Sequence, residues 1–255
     1  MQKSVFVTGA CIGTGKAIAE RFAKEGYDIF ISGRNGDKAQ DVAKEIAEKY
    51  GVKAKGYTMV TFDEPEIKEI FADIRENGYL LDALVLNAAN LGIGQDTLSV
   101  DMSEFIDVYR INVFFNFIIA RQAALQMKEK GKGSIVFINS NTAYRAIPSR
   151  AAYSSSKGAI LSMSRALAID LGKYGIRSNC VLPGMIKTER WYNNFNNCRY
   201  ALSNYTPLGD IAEFEDIANA AWFFGSDLSR NATGSELVVD GGNMSQLVPE
   251  IPENK

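Results

Sequence analysis

The sequence predicts a doubly wound α/β fold: a single parallel sheet of about seven strands with helices on both faces. Three observations lead there. Short β-branched apolar runs alternate with longer helical stretches, and a glycine-rich turn joins the first run to the first helix. No repeat, low-complexity tract or Pro/Ser-rich linker divides the 255 residues. One domain over 1–255 is therefore expected.

The runs Val5-Phe6-Val7, Ile29-Phe30-Ile31, Leu84-Val85-Leu86, 134–138, 179–182 and 237–239 are each followed by Gly, Asn or Ser, and read as buried strands. Helical stretches lie between them at 17–25, 37–50, 64–76, 102–130, 152–174 and 213–225. Strand and helix alternating in this way imply parallel strands joined by crossovers. The least regular segment, 188–207, contains five aromatics (Trp191, Tyr192, Phe195, Tyr200, Tyr205) and five asparagines (Asn193, Asn194, Asn196, Asn197, Asn204). A long irregular insert in a compact fold reads as a binding lid, with Trp191, Tyr192 and Phe195 as its candidate substrate contacts.

Composition narrows the function. With 28 basic against 30 acidic residues the net charge is -2, which offers no broad basic field for nucleic acid or an anionic membrane. Small-molecule chemistry is the better expectation. Cys11, Cys180 and Cys198 form no CxxC pair, so neither a metal site nor a disulfide framework is expected. The N-terminal MQKSVFVTGA does not read as a signal peptide, and no apolar run approaches the ~18 residues of a membrane span, so a cytoplasmic protein is expected. The chain has no histidine. Any acid–base chemistry must use groups with shifted pKa values.

Thr8-Gly9-Ala10-Cys11-Ile12-Gly13-Thr14-Gly15 follows the first strand and opens the first helix. Glycines there allow a tight turn and close approach to a pyrophosphate, and the helix N-terminus offers amide donors and partial positive charge. The second strand ends at Gly33-Arg34-Asn35, about where such folds meet the adenosine ribose. A carboxylate there would bind both ribose hydroxyls of NAD. The glycine followed by a guanidinium instead favours the 2′-phosphate of NADP(H) over NAD(H).

Tyr153 and Lys157 are four residues apart at the start of the helix 152–174, so they share a face. An ammonium near a phenol stabilises the phenolate and lowers its pKa from about 10 toward a working range. Ser140 ends the strand 134–138 and Asn87 ends the strand before Ala88, both at the carboxyl edge where ligands lie in open α/β sheets. Asn112 is a polar amide in an apolar helix: either it binds a backbone carbonyl or a water, or it points outward.

Taken together these residues resemble the short-chain dehydrogenase/reductases, a family with the Rossmann fold. The resemblance runs through Thr8, Gly9, Gly13 and Gly15, then Leu86-Asn87-Ala88-Ala89, Asn112, Ser140, Tyr153 and Lys157. It continues through Pro183-Gly184, Thr188, Thr233-Gly234 and Asp240-Gly241-Gly242. It implies an oxidoreductase moving a hydride between a nicotinamide and a ketone or secondary alcohol. Tyr153 would be the acid or base, Lys157 would lower its pKa and hold the nicotinamide ribose, Ser140 would position the substrate oxygen, and Asn112 would hold a water relaying protons from Lys157. Pro183, Gly184, Ile186 and Thr188 would cradle the nicotinamide side. Thr14, Asn35, Asn87 and Ala88 complete the implied cofactor contacts. The family's usual Asp near Met59 is absent, as are the second Asn and the Gly of its NNAG element, here Leu86 and Ala89.

The aromatic and amide-rich lid points to a cyclic apolar substrate of the hydroxysteroid kind. Alternatives are a 3-oxoacyl thioester on a carrier protein, whose reductases usually carry arginines where Gly131 and Tyr174 stand here, and a sugar or polyol. A non-catalytic NADP-binding sensor is a further alternative, and such proteins typically lose the tyrosine or lysine. By resemblance, a homotetramer assembled through the helices bearing Asn112 and Tyr153 is expected.

Overall fold

A computed structural model of the chain describes residues 2–60, 63–189 and 205–248. Seven strands form one sheet: β1 (Ser4–Val7), β2 (Asp28–Gly33), β3 (Ala54–Thr58), β4 (Ala83–Leu86), β5 (Gly133–Ile138), β6 (Ile176–Pro183) and β7 (Glu236–Val239). Their order is β3-β2-β1-β4-β5-β6-β7 and every pairing is parallel. β1, β4 and β5 are buried along almost their whole length, as expected of strands covered on both faces. β3, which the apolar-run reading did not single out, is a partly exposed edge strand, Ala54-Lys55-Gly56-Tyr57-Thr58, paired only to β2.

The helices are α1 (Gly13–Lys24), α2 (Gly36–Tyr50), α3 (Glu64–Glu76), α4 (Met102–Tyr109), α5 (Asn116–Lys130), α6 (Ala151–Gly172) and α7 (Phe214–Gly225). Ile18 and Phe22 of α1, Val42 and Ile46 of α2 and Ile217 and Phe224 of α7 pack with Val5, Val7, Ile29 and Ile31 on one face of the sheet. Ile67 and Ile74 of α3, Ile119 and Met127 of α5 and Ile160 and Leu167 of α6 pack with Phe6, Leu84 and Phe137 on the other. Each such side chain removed from water stabilises the fold by about 1.5–3 kcal/mol, so the two layers hold the sheet edge on which the site depends.

One expectation is revised. The stretch 102–130 is not one continuous α-helix, because a π-helical segment, Arg110–Phe115, separates α4 from α5. The cause is local. The Asn116 side-chain amide donates to the Asn112 carbonyl at 2.8 Å, while the Asn116 backbone N–H bonds the Val113 carbonyl, so the ordinary i→i−4 bond at this point is replaced. The expected lid, 188–207, lies mostly outside the described residues, and so do Trp191, Tyr192 and Phe195. No described helix is long and apolar enough to cross a membrane.

Candidate active site

Strand order reverses direction between β1 and β4, which places the ligand crevice at their carboxyl ends. The residues singled out in the sequence gather at this edge. Thr8 Oγ1 accepts from the backbone N–H groups of Asn87 (3.0 Å) and Ala88 (3.1 Å), and Asn87 Nδ2 donates to the Thr8 and Gly9 carbonyls, both at 3.1 Å. Thr8 and Asn87 thus brace the two loops against each other. Gly9 sits at φ 64° and Gly13 at φ 55°, a backbone region that glycine enters without strain. Gly15 is required for space: a Cβ there would lie 2.4 Å from the Gly9 carbonyl oxygen and 2.6 Å from Asn87 Nδ2.

The N-terminus of α1 differs from those of its neighbours. Asn35, Asp63 and Asp101 cap α2, α3 and α4 with side-chain acceptors, whereas Ile12 gives α1 no side-chain cap, and its first turn holds no acidic residue. The amides of Gly13, Thr14 and Gly15 therefore open a helix whose own sequence supplies no anion, which fits a pyrophosphate. At the end of β2, Gly33 lies against Cys11, where an added Cβ would come 2.2 Å from Sγ. Burial pushes the Cys11 thiol up, and Lys38 opposes that rise. Arg34 is exposed, and Asn35 Oδ1 accepts from Lys38 N at 2.9 Å. Arg34 and Lys38 place two cations beyond the end of β2, with one carboxylate, Asp37, in the first turn of α2; no carboxylate stands at residues 32–36, which suits a 2′-phosphate. Met59, by contrast, is 2% exposed and packed in the core.

Ser140 follows β5 and is buried. Its Oγ accepts from Thr142 N at 3.2 Å, and Ser140 acts on the Tyr153 phenol in favour of the phenolate. Tyr153 and Lys157 both lie on the buried face of α6. Lys157 Nζ donates to the Ile138 carbonyl at 3.0 Å and lies 5.5 Å from the centroid of the Tyr153 ring. Burial brings the Lys157 pKa down to about 8. Burial also pushes the Tyr153 phenol up, against Ser140 and the Arg150 guanidinium, which favour the phenolate.

Asn112 is fully buried, and the alternatives left open for it are decided by backbone partners. Its Oδ1 accepts from Asn90 N (2.8 Å), and its Nδ2 donates to the Asn90 carbonyl (2.9 Å) and Ser156 Oγ (3.0 Å). The amide therefore ties the π-helical segment to the loop after β4 and to the Tyr153 helix. On the far side, the Gly184 amide donates to the Val239 carbonyl after the buried Pro183. Ile186 forms a parallel bridge with Ala212, and Thr188 N donates to the Ile186 carbonyl.

Several participants were not anticipated. Asn139 Nδ2 donates to the Lys157 carbonyl at 3.1 Å, Ser156 receives Asn112, and the guanidinium of Arg150 lies 5.9 Å from the Tyr153 ring centroid. Arg150 stands three residues before Tyr153, and that i, i+3 spacing was a usable signal. A separate cavity of about 340 Å³ opens at the opposite, amino edge of the sheet. Its Arg177 already donates to the Phe224 and Ser226 carbonyls at the end of α7.

The chain is similar to known proteins over almost its whole length. The profile of a family described as enoyl-(acyl carrier protein) reductase matches residues 9–244. The 3-oxoacyl-[acyl-carrier-protein] reductase FabG of Aquifex aeolicus is 32% identical over 242 residues, covering 94% of this chain and 96% of that protein. The NADP-dependent (R)-specific alcohol dehydrogenase of Lentilactobacillus kefiri is 34% identical over 258 residues, covering 96% and 97%. The crystal structure of a gluconate 5-dehydrogenase from Burkholderia cenocepacia J2315, in complex with NADP and tartrate, superposes with a TM-score of 0.91 at 26% identity, covering 97% of each chain. The chain belongs to the short-chain dehydrogenase/reductase family, oxidoreductases that act on CH–OH and C=O groups.

Proposed function

We propose that the protein is an NADP(H)-preferring oxidoreductase that interconverts a ketone and a secondary alcohol, with Tyr153 as the proton-transferring group. The observation that carries this reading is the buried Tyr153 phenol. It lies with Lys157 on one helix face, the Lys157 Nζ 5.5 Å from its ring centroid, at the sheet edge that also holds Ser140 and the glycine turn. When bound, NADP(H) supplies or accepts the hydride. In reduction Tyr153 gives its proton to the carbonyl oxygen, and in oxidation it takes the proton of the alcohol. Ser140 holds that oxygen by a second hydrogen bond, and Lys157 places a cation beside the phenol and within the ribose side of the crevice. Asn112 acts as a positioning residue through Asn90 and Ser156, which keeps the Tyr153 helix in register with the loop after β4. Pro183, Gly184, Ile186 and Thr188 close the nicotinamide side.

Preference for NADP(H) over NAD(H) is supported by Gly33, Arg34 and Lys38 and by the absence of a carboxylate at the end of β2. For the substrate, the hydroxysteroid reading rested on residues outside those described. Polar residues stand beside Tyr153, with the Arg150 guanidinium 5.9 Å from its ring centroid and Ser140 acting on its phenol. A small polar hydroxy or keto compound, of the sugar or hydroxy-acid kind, therefore suits the site better, in line with the similarity to a gluconate 5-dehydrogenase. The chain forms a single cofactor-binding and catalytic unit and assembles as a homo-oligomer, a tetramer by family likeness. The exposed Phe114, Phe117 and Leu125 of the π-helical segment and α5, and Ile169 of α6, would supply apolar contact between subunits. The test is a ketone and ketose panel with NADPH and with NADH. Consumption of NADPH in preference to NADH supports the reading, and binding of NADPH with no turnover across the panel refutes it in favour of a sensor.

A further inference from the structure

The sheet edge opposite the crevice holds the cavity of about 340 Å³, at the amino ends of the strands. Lys3, Asp82 and Lys132 stand just before β1, β4 and β5, and Arg177 is the second residue of β6, so the parallel strand starts bring them together. Arg230 joins the same wall from the chain between α7 and β7. Bare backbone helps to keep the space open. A Cβ on Gly133 would lie 2.3 Å from Met127 Sδ, and one on Gly225 2.4 Å from the Phe22 ring, so both lining positions require glycine.

Charge is unbalanced in this lining. Four cations, Lys3, Lys132, Arg177 and Arg230, share it with two carboxylates, and both carboxylates are already engaged. Asp82 pairs with Lys130 at 2.7 Å and accepts from Ser4 N at 2.9 Å, and Asp227 pairs with Lys3 at 2.9 Å. The hydrogen bond from Lys3, with Lys132 and Arg177 acting through space, lowers the Asp227 pKa against its partial burial, so three cations converge on one anion. Arg177 is held by neutral acceptors: the Phe224 carbonyl at 2.8 Å, Ser229 Oγ at 2.7 Å and the Ser226 carbonyl at 2.9 Å. Those bonds fix the guanidinium and leave its charge in place. The side chains of Lys132 and Arg230 make no hydrogen bond or ion pair with any described residue.

We infer that this amino-edge cavity is a binding site for a small phosphate monoester, with Lys132 and Arg230 as its principal charged contacts and Arg177 and Lys3 completing the positive wall. A concave wall with an excess of one sign focuses its field on an entering ion, and a dianion gains from several such contacts at once. The volume is near the lower end for ligand cavities, which suits a sugar phosphate rather than a dinucleotide. The inference is independent of the oxidoreductase reading, because none of these residues lies at the crevice.

The test is calorimetric titration of the NADPH-saturated protein, in which the crevice is already filled, with glucose 6-phosphate, glucuronate and glucose. The three probes share a ring and differ in charge. Glucose 6-phosphate is expected to bind saturably with a dissociation constant below about 1 mM, at least about tenfold tighter than glucuronate, with glucose weaker still. Added sodium chloride should weaken it, as screening of exposed charges requires. The double variant Lys132→Gln, Arg230→Gln should lose at least about tenfold in affinity for glucose 6-phosphate while its melting temperature and NADPH affinity stay near wild type. The inference is overturned if glucose 6-phosphate shows no saturable binding up to about 10 mM, or if glucuronate binds equally well. It is overturned equally if the folded double variant keeps wild-type affinity, which would place the phosphate elsewhere on the protein.

Discussion

Replacing Lys157 with methionine should make the cofactor-free protein more stable while destroying its activity. The lysine is 3% exposed, and its Nζ donates to the Ile138 carbonyl, a neutral group. Burial lowers its pKa from 10.5 to about 8. Below pH 8 the group is charged in both the folded and unfolded chain, and the folded state carries the cost of the buried charge. Between pH 8 and 10.5 the unfolded chain binds the proton and the folded one does not, so stability rises with pH across that window. The whole shift corresponds to about 3 kcal/mol, of which about 1 kcal/mol is regained between pH 7 and 9. Set against this is the charged hydrogen bond to Ile138, worth roughly 1.5–3 kcal/mol before desolvation. Lys157→Met should therefore gain up to about 1.5 kcal/mol at pH 7, and the gain should shrink toward pH 9. Urea titrations of both proteins at pH 7, 8 and 9 measure it. Taking the difference cancels Cys11, whose raised thiol pKa acts on both proteins, whereas Cys180 and Lys157 act on each other, so the thiol's response belongs to the difference. A gap that stays constant or widens with pH, or a variant less stable than wild type at pH 7, would refute the reasoning.

Other consequences follow from the glycine turn and the end of β2. Gly15→Ala places a methyl group against the Gly9 carbonyl and the Asn87 amide, so it should cost about 1–3 kcal/mol and weaken NADPH binding at least tenfold by fluorescence titration. Gly158→Ala is its control: a Cβ there meets nothing within 4 Å, and the change should stabilise α6 by up to about 1 kcal/mol. Arg34→Gln should weaken NADPH about 10–100-fold and leave NADH unchanged, because the guanidinium is assigned to the 2′-phosphate alone. Equal loss for both cofactors would move Arg34 out of that role.

How far the chain could be read in advance depended on what each element buries. β1, β4 and β5 were legible because a strand covered on both faces must be apolar at successive positions. β3 was missed because an edge strand with one neighbour tolerates Lys55, Gly56 and Thr58, a pattern without an apolar run. The break in 102–130 was invisible to periodicity, since it arises from a single side-chain amide, that of Asn116, replacing a backbone donor. At the site, the glycine turn, Ser140, Tyr153 and Lys157 followed from spacing and from position after a strand. The bracing of Thr8 by Asn87, the tie of Asn112 to Asn90, and the contact of Cys11 with Gly33 join residues 79, 22 and 22 positions apart, so they depend on tertiary approach that no local pattern encodes.

The measurement that bears most directly on the assignment is NADPH-dependent turnover by Tyr153→Phe, set beside its NADPH dissociation constant. Removing one hydroxyl from a buried ring leaves the packing of α6 in place, so cofactor binding should stay within a few-fold of wild type while kcat falls by about 10²–10⁴. Turnover within tenfold of wild type, at unchanged cofactor affinity, would show that the proton comes from elsewhere and would contradict the account.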